Sequence, residues 1–150
     1  MKESNFMEVT FKALSVNESF ARVCVASFCL QLNPTLEEIG DIKTAVSEAV
    51  TNCVVHAYPG KHKGLVTMRC EIDDNVVKII IKDNGVGIKD IEKAREPFFT
   101  TRPSEERSGM GFAVMESFMD SLHVFHNEGS GIAVEMSKKI QNLNLQVGNA

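Results

Sequence analysis

The chain of 150 residues is 43% hydrophobic with a formal net charge of −4, enough for one domain with its own core and too short for two ordinary ones. No run of Lys or Arg would follow a phosphate backbone, so direct nucleic-acid binding is not expected. No segment approaches the roughly 18 apolar residues of a membrane span, and the start lacks the apolar stretch of a signal peptide, so no membrane partner is expected and the protein should be cytoplasmic.

Asn5 to Ala13 alternates apolar and polar residues (Met7, Val9, Phe11, Ala13), which predicts a half-buried strand. Asn17 is the expected N-cap of a helix running to Leu32, with Phe20, Val23, Ser27 and Leu30 on one side and Pro34 as its stop. Thr35 and Glu38 form a T-x-x-E capping box for a second helix. Leu36, Ile39, Ile42, Val46, Ala49, Val50, Cys53 and Val54 mark its apolar face, ending near Ala57. Strands follow over Leu65 to Ile72 and Val76 to Lys82, joined by the turn residues Asp73-Asp74-Asn75. From Ile88 to Arg107 the chain is polar, with two prolines, and predicts a long loop of the kind that serves as a lid. A helix over Gly111 to Ser121 precedes a hairpin of Leu122 to His126 and Ile132 to Lys138, and residues 141–150 read as a frayed tail. The order predicts a single α+β domain over 1–150 with its core in 7–138, a two-layer sandwich with helices on one face of a mixed, mainly antiparallel sheet. Cys24, Cys29, Cys53 and Cys70 are scattered through core-like segments without a C-x-x-C pair and read as buried thiols. His123 and His126 read as strand or surface residues.

Three groups of residues carry chemistry. Glu48 and Asn52 lie four apart and so face the same way on the second helix. An amide oxygen suits Mg²⁺, and a carboxylate one turn away can take a proton from an attacking hydroxyl. Taken alone, the pair also fits a solvated polar stripe. Asp83-Asn84-Gly85-Val86-Gly87 leaves a strongly apolar strand, and a carboxylate facing a pocket there needs a donor to offset its desolvation. The exocyclic amine of adenine is such a donor, whereas guanine would present an acceptor, so Asp83 could select ATP over GTP. Arg107-Ser108-Gly109-Met110-Gly111-Phe112 leads into a helix, where backbone N–H groups and the helix dipole attract anions. No G-x-x-x-x-G-K-[ST] loop occurs.

In this order and at this separation, the three groups resemble the N, G1 and G2 boxes of the GHKL ATPase superfamily, whose ATP-binding domain is the Bergerat fold. The stretches NESFARV (Asn17 to Val23), SEAVTN (Ser47 to Asn52), EPFFTTRP (Glu96 to Pro103) and ERSGMGF (Glu106 to Phe112) narrow the likeness. They resemble the bacterial anti-sigma-F family of sporulation, from about Met7 to Lys138. The resemblance implies a protein serine kinase that binds Mg-ATP or ADP, sequesters a sigma factor of RNA polymerase as a homodimer, and phosphorylates a serine of an anti-anti-sigma partner. It implies Glu48 as the catalytic residue and Asn52 as the Mg²⁺ ligand. Asp83, Gly85 and Gly87 would then surround the base, and Thr100, Thr101, Arg107, Ser108, Gly109, Met110, Gly111 and Phe112 would hold the rest of the nucleotide. Glu18 and Arg22, expected on the exposed side of the first helix, would contact the protein partners. The chain departs from the family where Ile132 and Ala133 replace threonines after Gly131, and at Asn84 and Ala57. Two other readings stay open: an anti-sigma kinase of the general stress response, and a non-catalytic, ATP-dependent sigma-binding module.

Overall fold

The computed structural model describes residues 3–96 and 111–141. Five strands, β1 (Asn5–Lys12), β2 (Leu65–Asp73), β3 (Val76–Asp83), β4 (Ser121–His126) and β5 (Ile132–Lys139), form one sheet in the order β1-β2-β3-β5-β4. The alternation that predicted β2 and β3 is the pleat itself: Val66, Met68, Cys70 and Ile72 point to the core face, as do Val77, Ile79 and Ile81. Asp74 turns the β2–β3 hairpin with φ 52°, a left-handed conformation that Asp tolerates. All four pairings are antiparallel, where a mixed sheet was expected. The reason is topological: β5 inserts between β3 and β4, so those two strands, which run the same way, never pair.

The helices α1 (Val16–Cys29), α2 (Leu36–Asn52) and α4 (Gly111–Phe118) cover the sheet, with α2 packed against both others. The core face of α2 is Ile42, Ala45, Val46, Ala49 and Val50, set against Met68, Ile79, Ile81 and Met136. Leu36, expected on that face, is exposed because it precedes the first turn in contact with the sheet. The capping box forms as predicted: Glu38 N–H donates to Thr35 Oγ1 (3.1 Å) and Thr35 N–H to Glu38 Oε1 (2.9 Å). The other oxygen, Glu38 Oε2, accepts from the N–H of Gln141 (2.9 Å), so the residue expected to open a frayed tail is tied to the start of α2. Residues 142–150 lie outside the described residues.

The first helix is turned opposite to expectation. Its buried strip is Ala21, Val25 and Cys29, four apart, while Phe20, Val23 and Leu30 are 47%, 63% and 62% exposed. Small side chains let α1 approach α2 closely, and the bulky ones are displaced outward. Phe20 meets Phe11 edge-on at 6.0 Å. Asn17 is not the N-cap; Ser15 holds that position without a side-chain bond, and the Asn17 amide donates instead to the Lys12 carbonyl (2.9 Å). In the segment expected to be loop, a short helix α3 (Ile91–Ala94) forms because Asp90 Oδ1 accepts from Lys93 N–H (3.1 Å). The helix expected to reach Ser121 ends at Phe118, since Ser121 already pairs with Ser137 in the sheet. Among the described residues no helix is long and apolar enough to cross a membrane.

Candidate functional site

The last residue of β3 is Asp83, one of two buried carboxylates among the described residues. Its Oδ1 accepts from the backbone N–H groups of Gly85 (2.9 Å) and Ile132 (3.3 Å), which fixes the carboxylate plane. Its Oδ2 accepts from the Cys53 thiol (3.6 Å). Burial, and then the adjacent Asp83 charge, push the Cys53 thiol well above its ordinary pKa, so it stays protonated and acts as a donor. Gly131, at φ 91°, passes so close that a Cβ there would strike the Asp83 carbonyl and carboxylate. Ile132, one of the two departures expected after Gly131, thus contributes its backbone amide and also lines the cavity described next.

That cavity, of about 630 Å³, lies between α2, the chain following β3, and the start of α4. Asn52, Cys53 and His56 line it from the end of α2, where the helix widens into a single π turn over Cys53–Ala57. The widened turn leaves the Ala57 carbonyl to accept from Val86 N–H (2.9 Å), and Gly85 packs against it so tightly that no side chain would fit. This is the contact that makes the third residue of the D-x-G a glycine. Gly87 (φ 76°) lines the cavity, as do Gly111 and Phe112 at the N-terminus of α4. Asn52, Asp83, Gly87, Gly111 and Phe112 are therefore brought together in one volume, within the size range of small-molecule sites. Gly85 shapes its wall. Thr100, Thr101, Arg107, Ser108, Gly109 and Met110 lie outside the described residues.

Glu48 does not line this cavity. It borders a separate, shallower cleft of about 380 Å³ between α1 and α2, together with Arg22, Gly40, Lys43, Thr44 and Ser47. Glu18 and Arg22 are half-buried, where exposure was expected, because they face α2. Arg22 Nη1 donates to Ser47 Oγ (2.9 Å), and the one hydroxyl proton of Thr51 is shared between Glu18 Oε1 (2.6 Å) and the Ser47 carbonyl (2.7 Å). The two charged residues of α1 are thus bonded to the turns of α2 that carry Glu48 and Asn52. Cys53, Tyr58 and Asn127 escape a sequence reading, since their roles are tertiary. Tyr58 Oη accepts from Asn84 N–H (2.7 Å) and donates to the Leu65 carbonyl (2.6 Å), while Asn127 Nδ2 donates to the Asp83 carbonyl (2.9 Å). In the sequence, Gly129-Ser130-Gly131 beside Asn127 marks a hairpin turn and nothing more. Among the described residues no cluster of three His, Cys, Asp or Glu side chains could hold a metal ion.

An antiparallel sheet backed by helices, with a nucleotide-sized cavity between a widened helix end and a D-x-G turn, defines a class of ATP-binding domain. A family model described as the histidine kinase-like ATPase domain matches residues 12–138. The anti-sigma F factor of Caldanaerobacter subterraneus subsp. tengcongensis is 56% identical over 140 residues, covering 93% of this chain and 97% of the relative. The anti-sigma F factors of Bacillus cytotoxicus (50% over 140 residues, 93% and 96% covered) and Clostridium novyi (51% over 139 residues, 93% and 97% covered) are similar to it too. The crystal structure of the RsbU and RsbW domains of a Mycobacterium tuberculosis protein superposes with a TM-score of 0.66 at 17% identity, over 91% of this chain and 32% of that one, a likeness of fold alone. The chain belongs to the histidine kinase-like ATPase family and, within it, to the anti-sigma F factors.

Proposed function

We propose that the protein is an anti-sigma factor that sequesters a sporulation sigma factor of RNA polymerase and, with Mg-ATP, phosphorylates a serine of an anti-anti-sigma protein. The observation that carries this reading is the division of labour along α2. Asn52 lines the nucleotide-sized cavity while Glu48, one turn earlier, borders the cleft that holds Arg22. A nucleotide in one and a partner segment in the other would meet across a single helical turn.

In this reading Asp83 Oδ2, the oxygen without a backbone donor, accepts from the adenine amine. The N–H groups of Gly111 and Phe112, with the positive end of α4, face the phosphates. Asn52 Oδ1 would hold Mg²⁺ together with phosphate and water oxygens, a donor set that suits an ion which keeps much of its hydration shell. That ion supplies charge neutralisation. Glu48 removes the proton as the serine oxygen forms its bond to the γ-phosphorus, the bond to the bridging oxygen breaks, and ADP leaves. Glu18 and Arg22 dock both protein partners, and their bonds to Thr51 and Ser47 tie docking to the catalytic helix. The homodimer finds support in the outward strip of Val16, Phe20, Val23 and Leu30, and in β1, which pairs only with β2 among the described strands.

Incubation with γ-labelled ATP and the anti-anti-sigma protein of the same cell tests the reading. Phosphoserine on the partner, lost on removing Mg²⁺, is the expected result. Sigma binding without any transfer would instead make this a non-catalytic binding module.

A further inference from the structure

The cleft between α1 and α2 holds an observation that packing within the chain does not explain. Gly40 is the fifth residue of α2 and is exposed, and a Cβ built on it would meet nothing within 4 Å. A glycine inside a helix is less stable than alanine, and here the fold makes no use of the missing side chain. The space it leaves lies in the cleft, in line with Lys43, Thr44, Ser47 and Glu48 at the i, i+3, i+4, i+7, i+8 spacing of one helix face. Arg22 forms the opposite wall and is steadied by its bond to Ser47. Two cations, Arg22 and Lys43, therefore face one carboxylate, Glu48. Of the neighbouring acids, Glu18 accepts from Thr51, Asp41 pairs with Lys138 at 3.5 Å, and Glu37, a turn before Gly40, is exposed and does not line the cleft.

We infer that this cleft receives the acceptor segment of the protein substrate, a stretch of main chain crossing α2 at Gly40, with an acidic residue beside the acceptor serine. The inference rests on the kinase reading above and adds to it the residues that choose the substrate. Gly40 admits the backbone at close approach, as a side chain there would stand in its way. Lys43 and Arg22 pair with the acidic flank, and that pairing leaves the serine hydroxyl at Glu48. Thr44 offers a hydroxyl to the passing main chain.

The test uses the full chain, Mg-ATP and the same anti-anti-sigma protein, with steady-state phosphorylation, ATP titration and thermal melting on three proteins: wild type, Lys43→Glu and Gly40→Ala. Lys43→Glu should raise KM for the protein substrate about tenfold, as loss and reversal of one interfacial charge pair would. Its kcat and ATP affinity should be unchanged, and changing the acidic flank of the partner to lysine should restore KM. Wild-type KM should rise with salt, and the variant's should not. Gly40→Ala should raise the melting temperature by about 2–4 °C and yet raise KM severalfold, two opposite effects that a purely structural glycine would not give. If both variants phosphorylate the partner with wild-type KM while transfer proceeds, the cleft proposal is overturned and the kinase reading stands. Altered dimerisation with unchanged KM would assign the cleft to a second copy of the chain, and this too overturns it. A wild-type protein that transfers no phosphate would sink the kinase reading and this inference with it.

Discussion

Replacing Asp83 by asparagine separates the two duties of that carboxylate. Oδ1 accepts from Gly85 and Ile132 N–H groups, and the amide oxygen of Asn can keep both bonds, so the turn after β3 should stay folded. The change falls on the other branch, where Oδ2 becomes an NH₂ group. It then confronts the Cys53 thiol, a weak acceptor, and presents a donor to the donor of adenine. A bond to a charged acceptor contributes about 1.5–3 kcal/mol, so ATP affinity should fall roughly ten- to a hundredfold. Guanine offers an acceptor at that edge, so GTP should lose less than ATP and the preference between the two should narrow. Calorimetric titration of wild type and Asp83→Asn with Mg-ATP and Mg-GTP measures both effects, with circular dichroism as the control for folding. An Asp83→Asn protein that is folded and binds ATP as the wild type does would remove Asp83 from base recognition and refute the argument.

Glu48→Gln keeps the shape but cannot accept a proton, so single-turnover transfer to the serine partner should drop by about 10²- to 10⁴-fold with ATP affinity intact. Gly131→Ala forces a Cβ into the Asp83 carbonyl at a φ of 91°, and chemical denaturation should show a loss on the order of 3 kcal/mol together with loss of nucleotide binding. Burial works against the charged form of Glu38, but bonds from Thr35 and Gln141 and the nearby Lys138 outweigh it and hold its pKa below the ordinary value. A carboxylate depressed in this way adds stability above its unfolded pKa of about 4.3, and the gain is lost as pH falls through the lower folded value. Thermal melts from pH 7 to pH 3 should therefore show wild type converging on Glu38→Gln at the acid end, and parallel curves would count against the assignment.

The pleated alternation of β2 and β3 and the Thr35–Glu38 box are local patterns, and both were legible in the sequence. Asp83 and its glycines were legible for the same reason, since a strand exit with D-x-G carries its own geometry. The first helix misled because Phe20, Val23 and Leu30 carry the apolar signal, while the spacing between α1 and α2 is set by the smaller Ala21, Val25 and Cys29. Periodicity reports where apolar residues recur, and it does not report which of two such strips is thin enough to fit. In the sequence Glu18 and Arg22 read as solvent-facing, because the bonds that draw them inward go to Thr51 and Ser47, more than twenty residues away. Cys53 and Tyr58 acquire meaning only once the end of α2 packs beside the exit of β3, and Asn127 only once the sheet has brought β3 beside β5.

The place of β5 between β3 and β4 also has a consequence for the protein as it leaves the ribosome. Synthesis delivers the strands in one order and the sheet needs them in another. Until about residue 132 has emerged, Asp83 lacks the Ile132 N–H and the Asn127 amide, and the wall that Ile132 and Val134 give the cavity does not exist. By Asp83, just over half of the chain, β2 can pair with β3 as a hairpin and β1 can join them across the first two helices, but β3 keeps an open edge while β4 waits for a strand made after it. Late, non-local pairing of this kind slows folding and leaves an intermediate that is prone to associate. A nascent chain arrested before β5 should therefore engage chaperones and fail to retain ATP, so that nucleotide capture marks completed synthesis.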